Sequence, residues 1–356
     1  MTPLARELAA RITQSGPMPV SDFMAECLLH PVHGYYTTAE PFGTEGDFIT
    51  APDVSQMFGE MVGVALAQAW MDQGAPESFV LGELGPGRGT LMADIWRATK
   101  GVPGFQQAAQ VALVEASPKL RATQAKHLAD VPPSWHDNVA DLPQGPLFLV
   151  ANEFFDALPI RQFVRGARNW QERCVGLVDG ELAFGLSAEV PYAALNHRLD
   201  DTRPGDIVEI CPSATPIVEH LTQRLVTHGG AVLIIDYGGW RSLGDTLQAV
   251  HRHTKVPPLT EPGQADLTAH VDFEALATAA AAAEVTPMVP QGVFLERLGI
   301  TTRAQNLARG LSGEPLQTHV AAHRRLTHPA EMGSLFKALG ITAPGSAPFP
   351  GLSAWP

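Results

Sequence analysis

The chain has 356 residues, of which 45% are hydrophobic, and 24 basic against 37 acidic side chains give it a formal net charge of −13. This composition is typical of a globular protein and excludes a disordered chain. The acidic surplus argues against binding nucleic acid by phosphate neutralisation, which needs an excess of Lys and Arg. Three widely spaced cysteines, Cys27, Cys174 and Cys211, argue against a disulfide framework.

Membrane and metal sites are also not expected. No segment approaches the roughly 18 apolar residues of a membrane-spanning helix. The charged side chains of Arg6, Glu7 and Arg11 do not fit a secretory signal, so a cytoplasmic protein without membrane insertion is predicted. None of the 13 histidines stands with acidic or thiol partners at a recognised ligand spacing, so no metal site is predicted.

The first part of the chain, residues 1–76, is predicted to be a helical segment with a long ordered loop. Apolar residues at helical spacing predict helices over 3–13 and 20–29, the second capped by Ser21. The following stretch is rich in Gly, Pro and aromatic residues and lacks periodicity, and long loops of this kind are often functional. A further helix is predicted over 55–73.

From residue 77 apolar strands alternate with helices, which predicts an α/β domain with a parallel sheet buried on both faces. A β-rich antiparallel insertion interrupts this rhythm at about 161–205, with a hairpin turn at Asp179-Gly180. An Ala-rich helix over 271–284, two short helices near 292–310 and a last strand complete a domain that extends to residue 345. The Pro-rich residues 346–356 are predicted to form a loose tail.

A glycine-rich turn follows the first strand of this domain. Gly85, Gly87 and Gly89 allow a tight turn and close approach of a ligand to the backbone, and Thr90 opens a helix whose N-terminus favours a negative group. The spacing is G-x-G-x-G after the acidic residue Glu83. It is neither the dinucleotide fingerprint nor a P-loop, so the pattern disfavours a dehydrogenase.

Two further strands end in residues suited to a nucleoside. Glu115, followed by Ala116, ends the second strand, and a carboxylate there can accept two hydrogen bonds from a ribose diol. Trp135 follows near the third strand, where its indole either stacks on a base or belongs to the core. These positions are candidates for nucleoside contacts, and a solvated loop glutamate and a core tryptophan are the alternative interpretations.

The fourth strand runs into Asn152, Glu153 and Asp156, at the end of a parallel strand where ligands bind in open α/β sheets. Two carboxylates can bind a guanidinium, which is a rigid planar group with five N–H donors, and leave one of its nitrogens free to act as a nucleophile. A helix cap is the alternative interpretation of these polar residues.

Several motifs in this order resemble the MidA-like family of class I S-adenosylmethionine-dependent methyltransferases. They are G-D-F-x-T-x-P-x-x-S-x-x-F-G-E (46–60), E-L-G-P-G-R-G-T-L (83–91), N-E-F-F-D-A-L-P (152–159), I-D-Y-G (235–238), D-T-L-Q-A (245–249), P-G-x-x-D-L-T-A-x-V-D-F (262–273) and L-T-x-P-x-x-M-G (326–333). The resemblance implies a Rossmann-like, mostly parallel sheet with an antiparallel last strand.

The resemblance also implies the cofactor and its contacts. S-adenosylmethionine would be held at its methionine end by the glycine turn and at its ribose by Glu115. The N-terminal segment would fold over the pocket and bring a group of residues near the methyl donor, namely Asp47, Phe48, Thr50 and Ser55.

Mitochondrial members of the family are complex I assembly factors that symmetrically dimethylate an arginine of the 49 kDa-type core subunit. The resemblance therefore implies a protein substrate, possibly a respiratory complex I subunit, with Glu153, Asp156 and Asn152 orienting its guanidinium. Two alternatives remain open: a small-molecule N- or O-methyltransferase, and an assembly chaperone that binds S-adenosylmethionine without turnover. The sequence leaves the oligomeric state open.

Overall fold

The computed structural model describes residues 1–38 and 50–353. Its helices are, in chain order, α1 (Pro3–Ser15), α2 (Val20–Leu29), α3 (Tyr35–Thr38), α4 (Ala51–Val54), α5 (Gln56–Asp72), α6 (Thr90–Thr99), α7 (Phe105–Ala108), α8 (Pro118–His127), α9 (Ala214–His228), α10 (Phe273–Ala279), α11 (Gln291–Arg297), α12 (Ile300–Ala308), α13 (Gly313–Thr327) and α14 (Met332–Leu335).

Its strands are, in chain order, β1 (Met18–Pro19), β2 (Phe79–Leu84), β3 (Ala109–Val114), β4 (Ser134–His136), β5 (Leu147–Asn152), β6 (Arg161–Arg165), β7 (Trp170–Val178), β8 (Glu181–Leu186), β9 (Ile207–Ile210), β10 (Gly230–Gly239), β11 (Gln248–His251), β12 (Thr254–Val256), β13 (Asp266–Thr268), β14 (Val271–Asp272), β15 (Glu284–Val285), β16 (Val289–Pro290) and β17 (Phe336–Thr342).

The chain forms two compact units that interleave along the sequence. The first contains Met1–Phe48, Asp156–Thr215 and Gly239–Asp272, and the second contains the rest. This division differs from the predicted boundary at residue 76. Helix α5 belongs to the second unit because its apolar side chains pack into that unit's core, whereas β1 pairs with β7 of the predicted insertion.

The second unit is built on a mostly parallel sheet with the strand order β4-β3-β2-β5-β10-β17-β15. Strands β2 and β5 are buried along their whole length, which explains their continuous apolar sequences. Strand β17 runs antiparallel to β10. The predicted parallel sheet and its antiparallel last strand are therefore both confirmed. The parallel pairing aligns the carboxyl ends of β3, β2, β5 and β10 at one edge.

The end of the chain differs from the predicted loose tail. Phe349 and Leu352 are fully buried in the core of the second unit. They lie over Gly340 of β17, where a Cβ atom would stand 2.5 Å from Cβ of Phe349. Apolar contacts therefore hold the described part of this segment, which its proline content alone does not indicate.

The first unit contains the sheet β1-β7-β6-β9, with β8 paired to β7. Asp179 and Gly180 both have positive φ, 52° and 84°, as the predicted two-residue hairpin requires. A second sheet, β12-β11-β13, was not predicted. Helix α2 has the predicted bounds, but its N-cap is Pro19, and Ser21 hydrogen-bonds Asp22 instead.

Two helices near the end of the chain differ from expectation. Helix α10 ends at Ala279, well before residue 284, and Glu284 instead opens strand β15, which pairs with β17. Helix α13 was not predicted. Among the described residues, no helix is both long and apolar enough to cross a membrane. In the same residues, no group of three or more His, Cys, Asp or Glu side chains is arranged to hold a metal ion.

Candidate active site

The glycine turn connects β2 to α6 in a conformation that favours glycine. Gly85, Gly87 and Gly89 have φ values of 60°, 53° and 85°. Gly89 is the N-cap of α6, and the half-buried Thr90 is the first residue of that helix. A Cβ atom on Gly85 would stand only 2.9 Å from Cδ2 of Phe154, which belongs to the loop after β5. The turn therefore lies directly against that loop.

Glu83 lies on β2, two residues before this turn, and is buried. Its Oε2 atom has no hydrogen-bond partner. Burial raises the pKa of Glu83 to about 8, opposed by a hydrogen bond from the Met92 backbone and reinforced by the charge of Glu115. A buried carboxyl with an unsatisfied oxygen is costly, and such a group is typical of a ligand site.

Glu115 follows β3 and is buried with both carboxylate oxygens oriented. Oε1 accepts a hydrogen bond from the backbone N–H of Ser117 at 2.7 Å, and Oε2 accepts one from Nε2 of Gln124 at 3.1 Å. Burial raises the pKa of Glu115, and these two hydrogen bonds and the charge of Arg121 oppose the shift. Arg121 also donates to the Glu115 carbonyl and bridges to Asp137.

Gln124 of α8 is a residue that the sequence analysis missed. It is fully buried, and its Nε2 also donates to the carbonyl of Gly87 at 2.7 Å. Its Oε1 accepts from the indole Nε1 of Trp135 at 2.8 Å. The sequence carries a signal, since the segment of α8 has no apolar stripe. The structure shows that only Leu120 and Gln124 are buried on this helix.

The loop after β5 begins in a strained conformation. Glu153 has φ = 51°, which is rare for a residue other than glycine and costs of order 1–3 kcal/mol. Its N–H donates to the carbonyl of Ile235 at 2.9 Å. Its Oε1 accepts from the N–H of Ala51 and from Nδ2 of Asn152, both at 3.2 Å. Oδ1 of Asn152 is buried and has no hydrogen-bond partner.

Asp236, in the I-D-Y-G motif, holds the rest of this loop. It is fully buried on β10, and its Oδ2 accepts from the N–H groups of Phe154 at 3.2 Å and Phe155 at 3.0 Å. Its Oδ1 accepts from the N–H of Tyr237 at 2.9 Å. The role of this aspartate is not predictable from the motif, because its partners Phe154 and Phe155 are distant in the chain.

The remaining predicted residues are placed as follows. Thr50 is the N-cap residue of α4, and Ser55 caps α5 by accepting from the N–H of Met57 at 3.2 Å. Ala116 is exposed beside Glu115. Asp156 is buried in the first unit, where its carbonyl accepts from the N–H of Ala269 at 3.0 Å. Two predicted residues lie outside the described part of the chain, namely Asp47 and Phe48.

A family model described as "Putative S-adenosyl-L-methionine-dependent methyltransferase" matches residues 61–291. The chain belongs to this family. It is 35% identical to "Protein arginine methyltransferase NDUFAF7, mitochondrial" of Xenopus laevis, over 95% of this chain and 84% of that protein. The protein of the same name from Homo sapiens is 36% identical, over 96% of this chain and 83% of its own length.

A solved structure from Burkholderia thailandensis, bound to S-adenosyl-homocysteine, is also similar to this chain. Its TM-score is 0.82 at 29% sequence identity, with 99% of this chain and 92% of that chain covered. The expected class I methyltransferase fold is confirmed, and so is S-adenosylmethionine as the cofactor of this family.

The residues present fit this cofactor. The unsatisfied Oε2 of Glu83 suits a ligand that donates hydrogen bonds, and the three glycines at positive φ form the tight turn between β2 and α6. The oriented carboxylate of Glu115 suits a diol. These groups lie at the carboxyl ends of two adjacent parallel strands, β2 and β3, at the edge where open α/β sheets bind ligands.

Proposed function

We propose that this chain transfers methyl groups from S-adenosylmethionine to an arginine side chain of a protein. The observation that carries the proposal is the contact between the two loops of the second unit. The Phe154 ring lies against Gly85, so Glu153 and Asn152 stand in the loop that borders the glycine turn. The relatives named protein arginine methyltransferases support arginine as the acceptor.

Within this proposal, each part of the cofactor has its own group of contacting residues. Glu83, the glycine turn and Thr90 hold the methionine end, because the helix N-terminus and the carboxyl suit a zwitterion. Glu115 holds the ribose diol, and Ala116 and Trp135 border the adenine. The residues of the covering segment near the methyl donor stay predictions, namely Asp47, Phe48, Thr50 and Ser55.

Glu153 and Asn152 receive the guanidinium in this proposal. The backbone strain at Glu153 fits a functional side chain, since strained residues cluster at active sites. The unpartnered Oδ1 of Asn152 supplies an acceptor for a second N–H of the guanidinium. Asp156, three residues further on in the same motif, is proposed as a second carboxylate because of its position in the sequence.

Catalysis is then mainly a matter of position. When bound, the cofactor would supply an electrophilic methyl group on its sulfonium, and cleavage of the methyl–sulfur bond would leave S-adenosylhomocysteine. Glu153 and Asn152 hold two N–H groups of the guanidinium and leave another nitrogen to attack, and the proton from that nitrogen passes to solvent. Holding the reacting atoms ~3 Å apart and aligned can lower the barrier by ~7–11 kcal/mol.

The partner is proposed at two levels. A protein substrate agrees with the printed names of the relatives. A subunit of respiratory complex I is the finer proposal, which follows from the family resemblance. The relatives are named as mitochondrial, and the cytoplasmic location of this chain stays a prediction from its sequence.

A methyl-labelling experiment tests the proposed function. The purified chain and labelled S-adenosylmethionine are added to a lysate of a strain that lacks the corresponding gene. We expect a labelled protein band that contains symmetric dimethylarginine. Label confined to small molecules would favour the small-molecule alternative, and cofactor binding with no transfer would favour the chaperone alternative.

Two glutamate variants sharpen this test. Glu153→Gln keeps the size of the side chain but removes its charge, so we expect normal cofactor affinity by calorimetry and loss of labelling. The matched control is Glu219→Gln, at an exposed position of α9, which should label as the wild type does. Equal labelling by both variants would contradict the role of Glu153.

A further inference from the structure

We propose that Gln124 is a positioning residue that sets the arrangement of Glu115 for recognition of the cofactor ribose. Its amide joins three parts of the site that are distant in sequence, namely the Gly87 carbonyl, the Glu115 carboxylate and the Trp135 indole. The inference rests on the proposed role of Glu115 in holding the ribose diol, and it adds a residue to which no role in the reaction has been given.

The chemistry of the three partners allows only one orientation of the Gln124 amide. An indole N–H can only donate, so the amide oxygen must face Trp135. A carbonyl and an ionised carboxylate can only accept, so the amide NH₂ must face Gly87 and Glu115. All three bonds form together in this orientation, and the side chain is fully buried. The glutamine is therefore held rigidly.

This arrangement leaves Glu115 acceptor capacity for a ligand. A carboxylate has about four lone-pair sites, and the bonds from Ser117 and Gln124 occupy one on each oxygen. The two bonds fix the plane of the carboxylate. A diol needs both oxygens in a set orientation for a bidentate contact, so loss of the Gln124 bond should weaken ribose recognition in particular.

The helix that carries Gln124 supports a role in the site beyond packing. Ser117, the N-cap of α8, is followed at helical spacing by Arg121 and Gln124. The backbone N–H of Ser117 and the side chains of Arg121 and Gln124 all donate hydrogen bonds to Glu115. Only Leu120 joins Gln124 among the buried residues of this helix. The position of α8 therefore depends on its polar contacts with Glu115, which lie on one face of the helix.

Calorimetry with two ligands tests the inference on the full chain. The ligands are S-adenosylhomocysteine and its analogue that lacks the ribose 2′-hydroxyl. We expect the wild type to bind the analogue about tenfold or more weakly, since a hydrogen bond to a charged group has this magnitude. Gln124→Met should bind S-adenosylhomocysteine about tenfold more weakly and distinguish the two ligands by less than about threefold.

A matched control separates positioning from general destabilisation. Gln291 of α11 is also a fully buried glutamine, and it donates to the carbonyl of Leu326 at 3.0 Å. Gln291→Met should keep the wild-type discrimination between the ligands, whatever its stability. If Gln124→Met does not fold, Trp135→Phe removes the indole N–H that orients the amide, together with part of the ring. The smaller ring should weaken binding of both ligands alike, whereas loss of the N–H should reduce the discrimination between them.

Two results would overturn the inference. Undiminished discrimination in the Gln124 or Trp135 variant would make Gln124 a packing residue only. A wild type that does not distinguish the ligands would remove the ribose contact on which the inference depends. Failure of arginine as the acceptor is a separate result, because the labelling experiment detects it in a chain that still binds S-adenosylhomocysteine.

Discussion

Gly85 and Phe154 lie so close that a Cβ atom on the glycine would stand 2.9 Å from Cδ2 of the ring. This contact connects the turn after β2 with the loop after β5, the two segments that carry the proposed cofactor and acceptor residues. Gly85 also has φ = 60°, a conformation that costs a residue with a side chain about 1–2 kcal/mol. Glycine is therefore required at this position both by the positive φ and by the lack of room for a Cβ atom beside Phe154.

Gly85→Ala should therefore weaken cofactor binding. The added methyl group must displace the Phe154 ring and strains the backbone at φ = 60°, so we expect about tenfold or greater loss of S-adenosylhomocysteine affinity by calorimetry. Gly180→Ala is the control, because Gly180 has φ = 84° but no atom within 4 Å of its Cβ position. Unchanged affinity in Gly85→Ala would show that the Phe154 ring can move away from residue 85 without disturbing the cofactor site.

Glu83→Gln should change how stability depends on pH. The folded-state pKa of Glu83, about 8, lies above the ordinary value of 4.5, because burial disfavours the charged form. Its contribution to stability is therefore fully present below pH 4.5 and is lost as pH rises to 8. In urea unfolding without ligand, the free energy of unfolding of the variant should rise relative to that of the wild type. The expected rise is up to about 1.4 kcal/mol per pH unit between pH 5 and 8.

The control for this measurement is Glu219→Gln, an exposed glutamate of α9. Its unfolding free energy should remain parallel to that of the wild type from pH 5 to 8. A Glu83→Gln curve that is also parallel would mean that Glu83 is ionised in the folded chain throughout this range.

Arg303→Ala should destabilise the second unit. Nε and Nη2 of Arg303 bind the two carboxylate oxygens of Glu60 at 2.8 and 2.9 Å, and Glu60 is buried. Removal of the arginine leaves this carboxylate with Arg97 at 3.9 Å. We expect a loss of about 1–3 kcal/mol in urea unfolding, moderated by the partial exposure of Arg303.

Arg324→Ala provides the comparison for the same assay. Arg324 pairs with Glu331 at 2.9 Å, but its side chain is 63% exposed. An exposed ion pair contributes about 0–1 kcal/mol, so this variant should lose less stability than Arg303→Ala. Equal losses would argue that burial of Glu60 has no energetic consequence.

Phe349→Ala should show that the end of the chain is part of the core. The ring is fully buried, so its removal leaves a cavity and should cost about 3–5 kcal/mol in thermal or urea unfolding. Leu335→Ala, at a position that is 50% exposed, should change stability by no more than about 0.5 kcal/mol. A Phe349→Ala loss as small as this would support the loose tail that the sequence predicts.

Turns were predicted where their chemistry is local. Asp179-Gly180 is a common hairpin dipeptide, and the structure has the hairpin there. The hairpin between β11 and β12 turns instead at Arg252 and His253, with φ values of 48° and 60°. Arginine has no preference for positive φ, and histidine is enriched there less distinctively than glycine, so the turn signal in the sequence is weak and the pairing of β11 with β12 stabilises this turn.

The sequence by itself determined the parallel sheet, its antiparallel last strand and the glycine turn. These features depend on apolar runs, glycine spacing and residue order, which are local properties of the chain. Tertiary structure alone decided which polar residues are buried. Gln124 and Asp236 acquire their roles from partners distant in sequence, since a buried polar group must find its hydrogen bonds wherever the fold supplies them. The interleaving of the two units arises in the same way, because strand β1 pairs with β7 more than 150 residues later.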